Sequence, residues 1–277
     1  MDGAQNFADR LAEAVERKRS QLCVGLDPDP ARMPEGVGAV EFCRGIVDAV
    51  AGSAVAVKPQ LAFFEALGAE GWAAFIAVCG HAREAGLLVL ADAKRGDVPS
   101  TARAYAAAFA PVADAVTVNP YLGRDSIEPF LDQDGLGVFC VVKTSNPGSG
   151  DVQDLPLADG RPLWQKVAEL VGLWGEDLVG ASGLSSVGAI VGATFPEEVA
   201  IARGLLPRAP LLLPGVGAQG GRPEELAAAF AAGPGSALVS ASRSILYADR
   251  GPGWRVAAAE AAEQLRDAAA RVAEPVV

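Results

Sequence analysis

The chain has 277 residues, 51% of them hydrophobic and 21% charged, with a net charge of −11. That length supports one large core, and the acidic balance argues against nucleic acid as a principal partner. A local basic cluster could still attract an anionic small molecule. No apolar run approaches the roughly 18 residues a membrane span requires.

The N-terminus, "MDGAQNFADRLAEAVERKRSQ", is polar and helix-like and lacks the apolar segment of a secretion signal, which points to the cytoplasm. The first strand, 22–27, reads "LCVGLD" and ends in Asp27; the second, 55–59, reads "VAVKP" and carries Lys58 at its end. The helical stretch "GWAAFIAVCGHAREAG" holds the single histidine, His81, expected on a surface or at a helix end. Ser-His-Asp chemistry and histidine-rich metal sites are thereby disfavoured. The third strand, 87–94, runs "LLVLADAK" into "RGDVPST" and brings Asp92, Lys94 and Asp97 to its tip.

The fourth strand, 115–120, ends at "NP" with Asn119, and the fifth, 137–144, is followed by Ser145. A long irregular run then follows, "NPGSGDVQDLPLADGRP" at 146–162, and after it the helix-like "LWQKVAELVGLWGEDL". Together they form an insert at about 146–187, of the kind that serves as a lid, a binding loop or a mobile segment. Strand six is expected over 188–194 and strand seven over 211–216, leading into the glycine-rich "GVGAQGG" with Gln219. Strand eight, 237–242, is followed by Arg243.

Eight apolar runs separated by Ala-rich helical segments imply a buried parallel sheet. In this length they imply an α/β fold, a (β/α)8 TIM barrel forming a single domain over 1–277. A doubly wound open sheet is the alternative, but no GxGxxG follows the first strand. The four cysteines, Cys23, Cys43, Cys79 and Cys140, read as small core residues in a reducing compartment.

In such a barrel, chemistry belongs to the C-terminal ends of the strands, where these polar residues fall. Asp92 and Lys94 are two apart and so point to one side of their strand, within reach of Lys58 next door. Lys58, Asp92, Lys94 and Asp97 can then alternate as a chain of ion pairs, each charge fixed by its neighbours. A purely structural salt-bridge network is the plainer alternative. The glycine-rich turn after strand seven, with Arg243 after strand eight, suits a phosphate.

These stretches carry a resemblance. From "LCVGLDPDP" through "VKPQLAFFE", "LADAKRGDVPST", "KTSNPGSG" and "PGVGAQGG" to "SASRSILYA", the chain resembles the orotidine 5′-monophosphate decarboxylase family, in its longer-chain branch. The resemblance implies decarboxylation of orotidine 5′-monophosphate to uridine 5′-monophosphate and CO2, the last step of pyrimidine synthesis, with no metal or organic cofactor.

It also implies roles. Lys94 would stabilise and protonate the C6 carbanion, and Asp92 would lie beside the substrate carboxylate. Lys58 would contact ribose and anchor the charge chain, and Asp27 would bind ribose. Ser145 would read the pyrimidine edge. Pro214 and Gln219 would close over the nucleotide, and Arg243 would grip its phosphate. Asp97 and Thr101 would cross into the site of a partner subunit, making a homodimer with shared sites.

Two competitors stand beside this reading. One is a metal-dependent sugar-phosphate decarboxylase or aldolase on the same barrel, and the other is a non-catalytic nucleotide-binding barrel. The first would need an acidic metal ligand where Lys58 ends strand two. The second would be expected to have lost part of the charged run. The tripeptide "RGD" at 95–97 is read as coincidental.

Overall fold

Strands with no polar face must be covered on both sides, and here a closed sheet inside a ring of helices does so. The computed structural model describes residues 5–273. Its strands are β1 (Leu22–Leu26), β2 (Ala56–Pro59), β3 (Leu88–Arg95), β4 (Ala115–Val118), β5 (Gly137–Lys143), β6 (Val187–Val191), β7 (Leu211–Pro214) and β8 (Ala237–Ala241). They pair in parallel in sequence order, and β8 closes on β1. The expected (β/α)8 barrel is therefore the observed fold.

The helices are α1 (Phe7–Lys18), α2 (Ala39–Val50), α3 (Leu61–Glu65), α4 (Gly71–Glu84), α5 (Pro99–Phe109) and α6 (Glu128–Leu131). They continue with α7 (Gly150–Gln153), α8 (Leu163–Trp174), α9 (Pro196–Leu205), α10 (Arg243–Leu246) and α11 (Trp254–Ala273). Within 146–187, α8 is the crossover helix between β5 and β6, and the irregular stretch lies before it.

Six of the eight strands end one to three residues earlier than the apolar runs suggest. Asp27, Asn119, Thr144 and Thr194 leave the ladder there and turn into the loops at the barrel mouth.

The barrel interior is a small apolar cluster. Ala56, Leu90, Ala115, Phe139, Ile190, Leu212 and Leu238 point inward, and Phe7 and Leu11 of α1 plug the lower end. Phe7 meets Phe139 edge-on at 5.9 Å. A side chain at Gly137 would start 2.3 Å from the Phe7 ring, so only glycine admits this plug. The alternate residues face the helices in a second, larger core. All four cysteines are buried, and burial pushes the Cys23 and Cys79 thiols up to about 12. His81 lies in the last turn of α4, its Nε2 2.7 Å from Asp48 Oδ1.

Arg203 of α9 is a structural cation that looks like a surface charge in the sequence. It is 6% exposed and donates to the carbonyls of Ala229 (3.0 Å), Leu206 (2.5 Å), Ala209 (2.9 Å) and Ser236 (2.7 Å). Burial lowers its pKa to about 10. Four carbonyls thus converge on one guanidinium. Arg203→Ala is expected to destabilise the fold by about 3–5 kcal/mol, which urea unfolding would measure.

Candidate active site

Strand parity builds the site. Directly above inward-facing Ala56, Leu90 and Ala115, the next inward positions are Lys58, Asp92 and Thr117. All three are buried: Lys58 at 6%, Asp92 at 5% and Thr117 at 0% exposure. A polar layer therefore rests on an apolar floor, at the C-terminal end of the strands where loops can reach it.

Asp92 is the hub. Its Oδ2 accepts from Lys58 Nζ at 2.5 Å and from Gln60 Nε2 at 3.0 Å. Its Oδ1 accepts from Lys94 Nζ at 2.5 Å and from the Thr117 hydroxyl at 2.9 Å. Burial pushes the Asp92 carboxyl up, but the charges of Lys58 and Lys94 outweigh it and hold the group well below the usual carboxylate range. Lys58 mirrors this. Burial pulls it down, and Asp92 and Asp27 more than restore it, so its pKa stands above the ordinary lysine value. Two cations and one saturated anion are fixed in place, with one positive charge left over.

The two lysines differ in access. The Lys58 side chain is 8% exposed, whereas that of Lys94 is 46% exposed and opens to the mouth. Simple alternation does not account for Lys94. Between Ala91 and Arg95 the register of β3 on β4 slips by two residues. Within that bulge Lys94 adopts φ 47°, a left-handed conformation rare for a side chain that long. Thr117 holds the kink, because its hydroxyl accepts the Lys94 backbone N–H at 2.9 Å while donating to Asp92. Strain of this kind persists only where neighbours over-determine it.

Asp97 does not complete the charge chain within its own chain. Its carboxylate accepts the backbone N–H of Val98 at 2.7 Å, and no ion pair among the described residues joins it to either lysine. Arg95 turns outward, paired with Glu65 and lying 5.3 Å over the Tyr105 ring. Gly96 crosses the next loop so closely that a side chain there would start 2.4 Å from the Asn119 carbonyl oxygen. Thr101 sits in the first turn of α5, outside the cavity lining.

A cavity of about 510 Å³ opens above the triad of Lys58, Asp92 and Lys94. Ile190 and Leu212 form its floor, with Lys58, Asp92 and Lys94 on one wall. Thr144, Ser145, Asn146, Pro147, Thr194, Pro214 and Gln219 line the rest. The Ser145 hydroxyl donates to Gln219 Oε1 at 2.8 Å, joining the loops after β5 and β7 across the opening. The latter loop is a glycine turn with φ 103° at Gly215, 77° at Gly217 and 91° at Gly220, conformations that only glycine adopts freely. It touches α10, since a Cβ at Gly217 would lie 3.1 Å from Ser244 Oγ. Arg243 begins α10, exposed and without an ion pair among the described residues. Asp27 lies after β1 with its Oδ1 buried and unpartnered.

The structure thus gathers Lys58, Asp92, Lys94, Ser145, Pro214 and Gln219 around one cavity and places Asp27 and Arg243 in neighbouring loops. Thr117 and Gln60 are missing from the expected set. The signal for Thr117 was a lone hydroxyl at the inward position of "AVTV". Among the described residues, no three His, Cys, Asp or Glu side chains converge as a metal site would need.

Comparison with known proteins decides the family. The model of the orotidine 5′-phosphate decarboxylase / HUMPS family matches residues 20–261. The chain belongs to this family. It is 49% identical over 271 residues to the orotidine 5′-phosphate decarboxylase of Roseiflexus castenholzii, covering 95% of this chain and 97% of the relative. It is 47% identical over 277 residues to that of Bordetella avium, covering 95% and 98%. The structure of Leishmania donovani OMP decarboxylase superposes with a TM-score of 0.80 at 35% identity, over 97% of this chain and 99% of that one. Family members of this kind therefore share both the barrel and most of its length.

Proposed function

We propose that the chain decarboxylates orotidine 5′-monophosphate to uridine 5′-monophosphate and CO2, the last step of UMP synthesis. One observation carries the reading: a saturated carboxylate held between two fixed lysines, on an apolar floor, at the mouth of the barrel. When the bond from C6 to the carboxylate breaks, its electron pair stays in an orbital in the ring plane. The ring π system cannot spread that charge, so stabilisation must come from a cation already in place. The Lys94 ammonium supplies it and then gives C6 its proton. Asp92 holds that ammonium on the cavity wall and Thr117 fixes the backbone beneath it, so little reorganisation accompanies the reaction.

The same reading gives the other residues their work. Asp27 and Lys58 bind the ribose, and the orphaned Asp27 Oδ1 has an open acceptor for a hydroxyl. Ser145 reads the pyrimidine edge, Pro214 and Gln219 cover the nucleotide, and Arg243 takes the phosphate beside the glycine turn. Lys58 stands where the metal-dependent reading needs an acid, which favours cofactor-free chemistry. The working form is a homodimer in the cytoplasm, with Asp97 and Thr101 lent to the partner's site. Val98, Tyr121 and Leu122 are 51%, 81% and 49% exposed around the Asp97 loop, an apolar surface suited to such a contact. No described helix is long and apolar enough to cross a membrane, and the net charge of −11 argues against nucleic acid as a principal partner.

The test is direct. Purified protein mixed with orotidine 5′-monophosphate should yield uridine 5′-monophosphate, followed by the loss of orotate absorbance. No conversion at enzyme-level concentrations would refute the function. The phosphate contact has its own expectation. Arg243→Ala should weaken nucleotide affinity by about 10²- to 10³-fold, with some loss of turnover because phosphate binding also orders the reacting end. Titration calorimetry of the product nucleotide against its dephosphorylated nucleoside checks it. Equal wild-type affinity for the two would remove Arg243 from the site.

A further inference from the structure

Among the described residues only two lysines are buried, Lys58 in the triad and Lys143 at the end of β5. Lys143 does not line the cavity. It is set by a bulge of its own: Val141 pairs with Ile190, but Lys143 pairs with Val191, so one residue is extra. Its side chain, 3% exposed, reaches Asp154 Oδ1 at 2.6 Å and Glu198 Oε1 at 3.6 Å. Asp154 follows α7, and Glu198 is in the first turn of α9. One buried ammonium therefore ties the loop after β5 to the helix after β6.

The loop it ties is the one that carries Ser145. Between Lys143 and Asp154 the chain leaves the barrel and returns. The Thr144 backbone N–H donates to Gln153 Oε1 at 2.9 Å, and Gln153 Nε2 donates back to the Thr144 hydroxyl at 2.8 Å. Residues 144–153 are thus latched at their base, once by amide and hydroxyl and once by the ion pair. Ser145, Asn146 and Pro147 face the cavity from inside this loop. An ammonium is costly to bury unless paired, and filling the barrel wall alone would need only an apolar side chain. The two acids are not equal partners. Burial raises Glu198 above the usual carboxylate range in spite of Lys143, and its Oε2 is buried without a partner, whereas the Asp154 contact is short.

We propose that Lys143 is a positioning residue for the decarboxylation: paired with Asp154, and backed by Glu198, it holds loop 144–153 so that Ser145 meets the base edge of the nucleotide. This rests on the decarboxylase reading of the cavity. It makes the long segment after β5 a fixed wall of the site with its latch outside the cavity. Loss of the latch should cost substrate binding more than chemistry, because Ser145 touches the base equally before and after the carboxylate leaves.

The test compares wild type, Asp154→Asn, Lys143→Met and the double variant with orotidine 5′-monophosphate. Asp154 is half-exposed, so Asp154→Asn should melt close to wild type. It should raise KM about tenfold while kcat falls by less than about threefold. Lys143→Met should raise KM at least as far, and adding Asp154→Asn to it should raise KM no further. An unchanged KM in Asp154→Asn overturns the proposal, even where Lys143→Met fails to fold. So does a double variant whose KM is the product of the two single effects. Failure of the underlying reading shows separately, as a wild-type protein that leaves the substrate unconverted.

Discussion

Lys94→Ala is expected to lower kcat by at least about 10⁴-fold, while affinity for uridine 5′-monophosphate changes by less than about tenfold. Two losses multiply. The fixed cation at C6 disappears, and positioned charges of this kind are each worth about 10²–10³ in rate. The proton donor disappears with it, and general acids contribute about 10²–10⁴. The fold should be spared, because the Lys94 side chain is 46% exposed and Asp92 keeps Lys58, Gln60 and Thr117 as donors. Product binding should be little affected, because the proposed ribose, base and phosphate contacts lie on other strands and loops. Single-turnover kinetics alongside product calorimetry separates the two quantities. A rate loss below about 10²-fold would place the chemistry elsewhere.

Asp97→Ala is expected to be nearly inactive as well, down by at least about 10³-fold, yet to recover activity when mixed with Lys94→Ala chains. The reason is geometric. Asp97 forms no ion pair with the lysines of its own chain and instead bonds the Val98 backbone, beyond a glycine that carries the loop over Asn119. If its carboxylate serves the partner's triad, a mixed dimer holds one site with both lesions and one with neither. Random reassortment of equal amounts makes about half the dimers mixed, each with one intact site, so roughly a quarter of wild-type activity returns. No recovery after demonstrated subunit exchange would assign Asp97 to its own chain's site.

The ring of strands was legible because each is an unbroken apolar run closed by a polar residue, and a buried parallel sheet demands that pattern. Lys58 and Asp92 were legible for a related reason: each is a charge at the inward position one step past the last inward apolar residue. Spacing put Lys94 beside Asp92, where the structure has it, but carries nothing of its conformation. The two-residue slip in β3 and the φ of 47° depend on Thr117 across the strand pair, and one-dimensional alternation carries no trace of it. Asp97 and Thr101 could not be placed by periodicity at all, because their proposed targets lie outside the chain. Arg203 and Lys143 look like ordinary charges on a helix and at a strand end. Only the three-dimensional convergence of four carbonyls on one, and of two carboxylates on the other, gives them work.

The central claim is that fixed side-chain charges, with Lys94 at their open end, carry out this decarboxylation without a metal. It is tested most directly by a single turnover of orotidine 5′-monophosphate with protein dialysed against EDTA and assayed in its presence. The expected result is one CO2 and one uridine 5′-monophosphate per site, at a rate that added magnesium leaves unchanged. Activity that vanishes on chelation and returns with magnesium would contradict it.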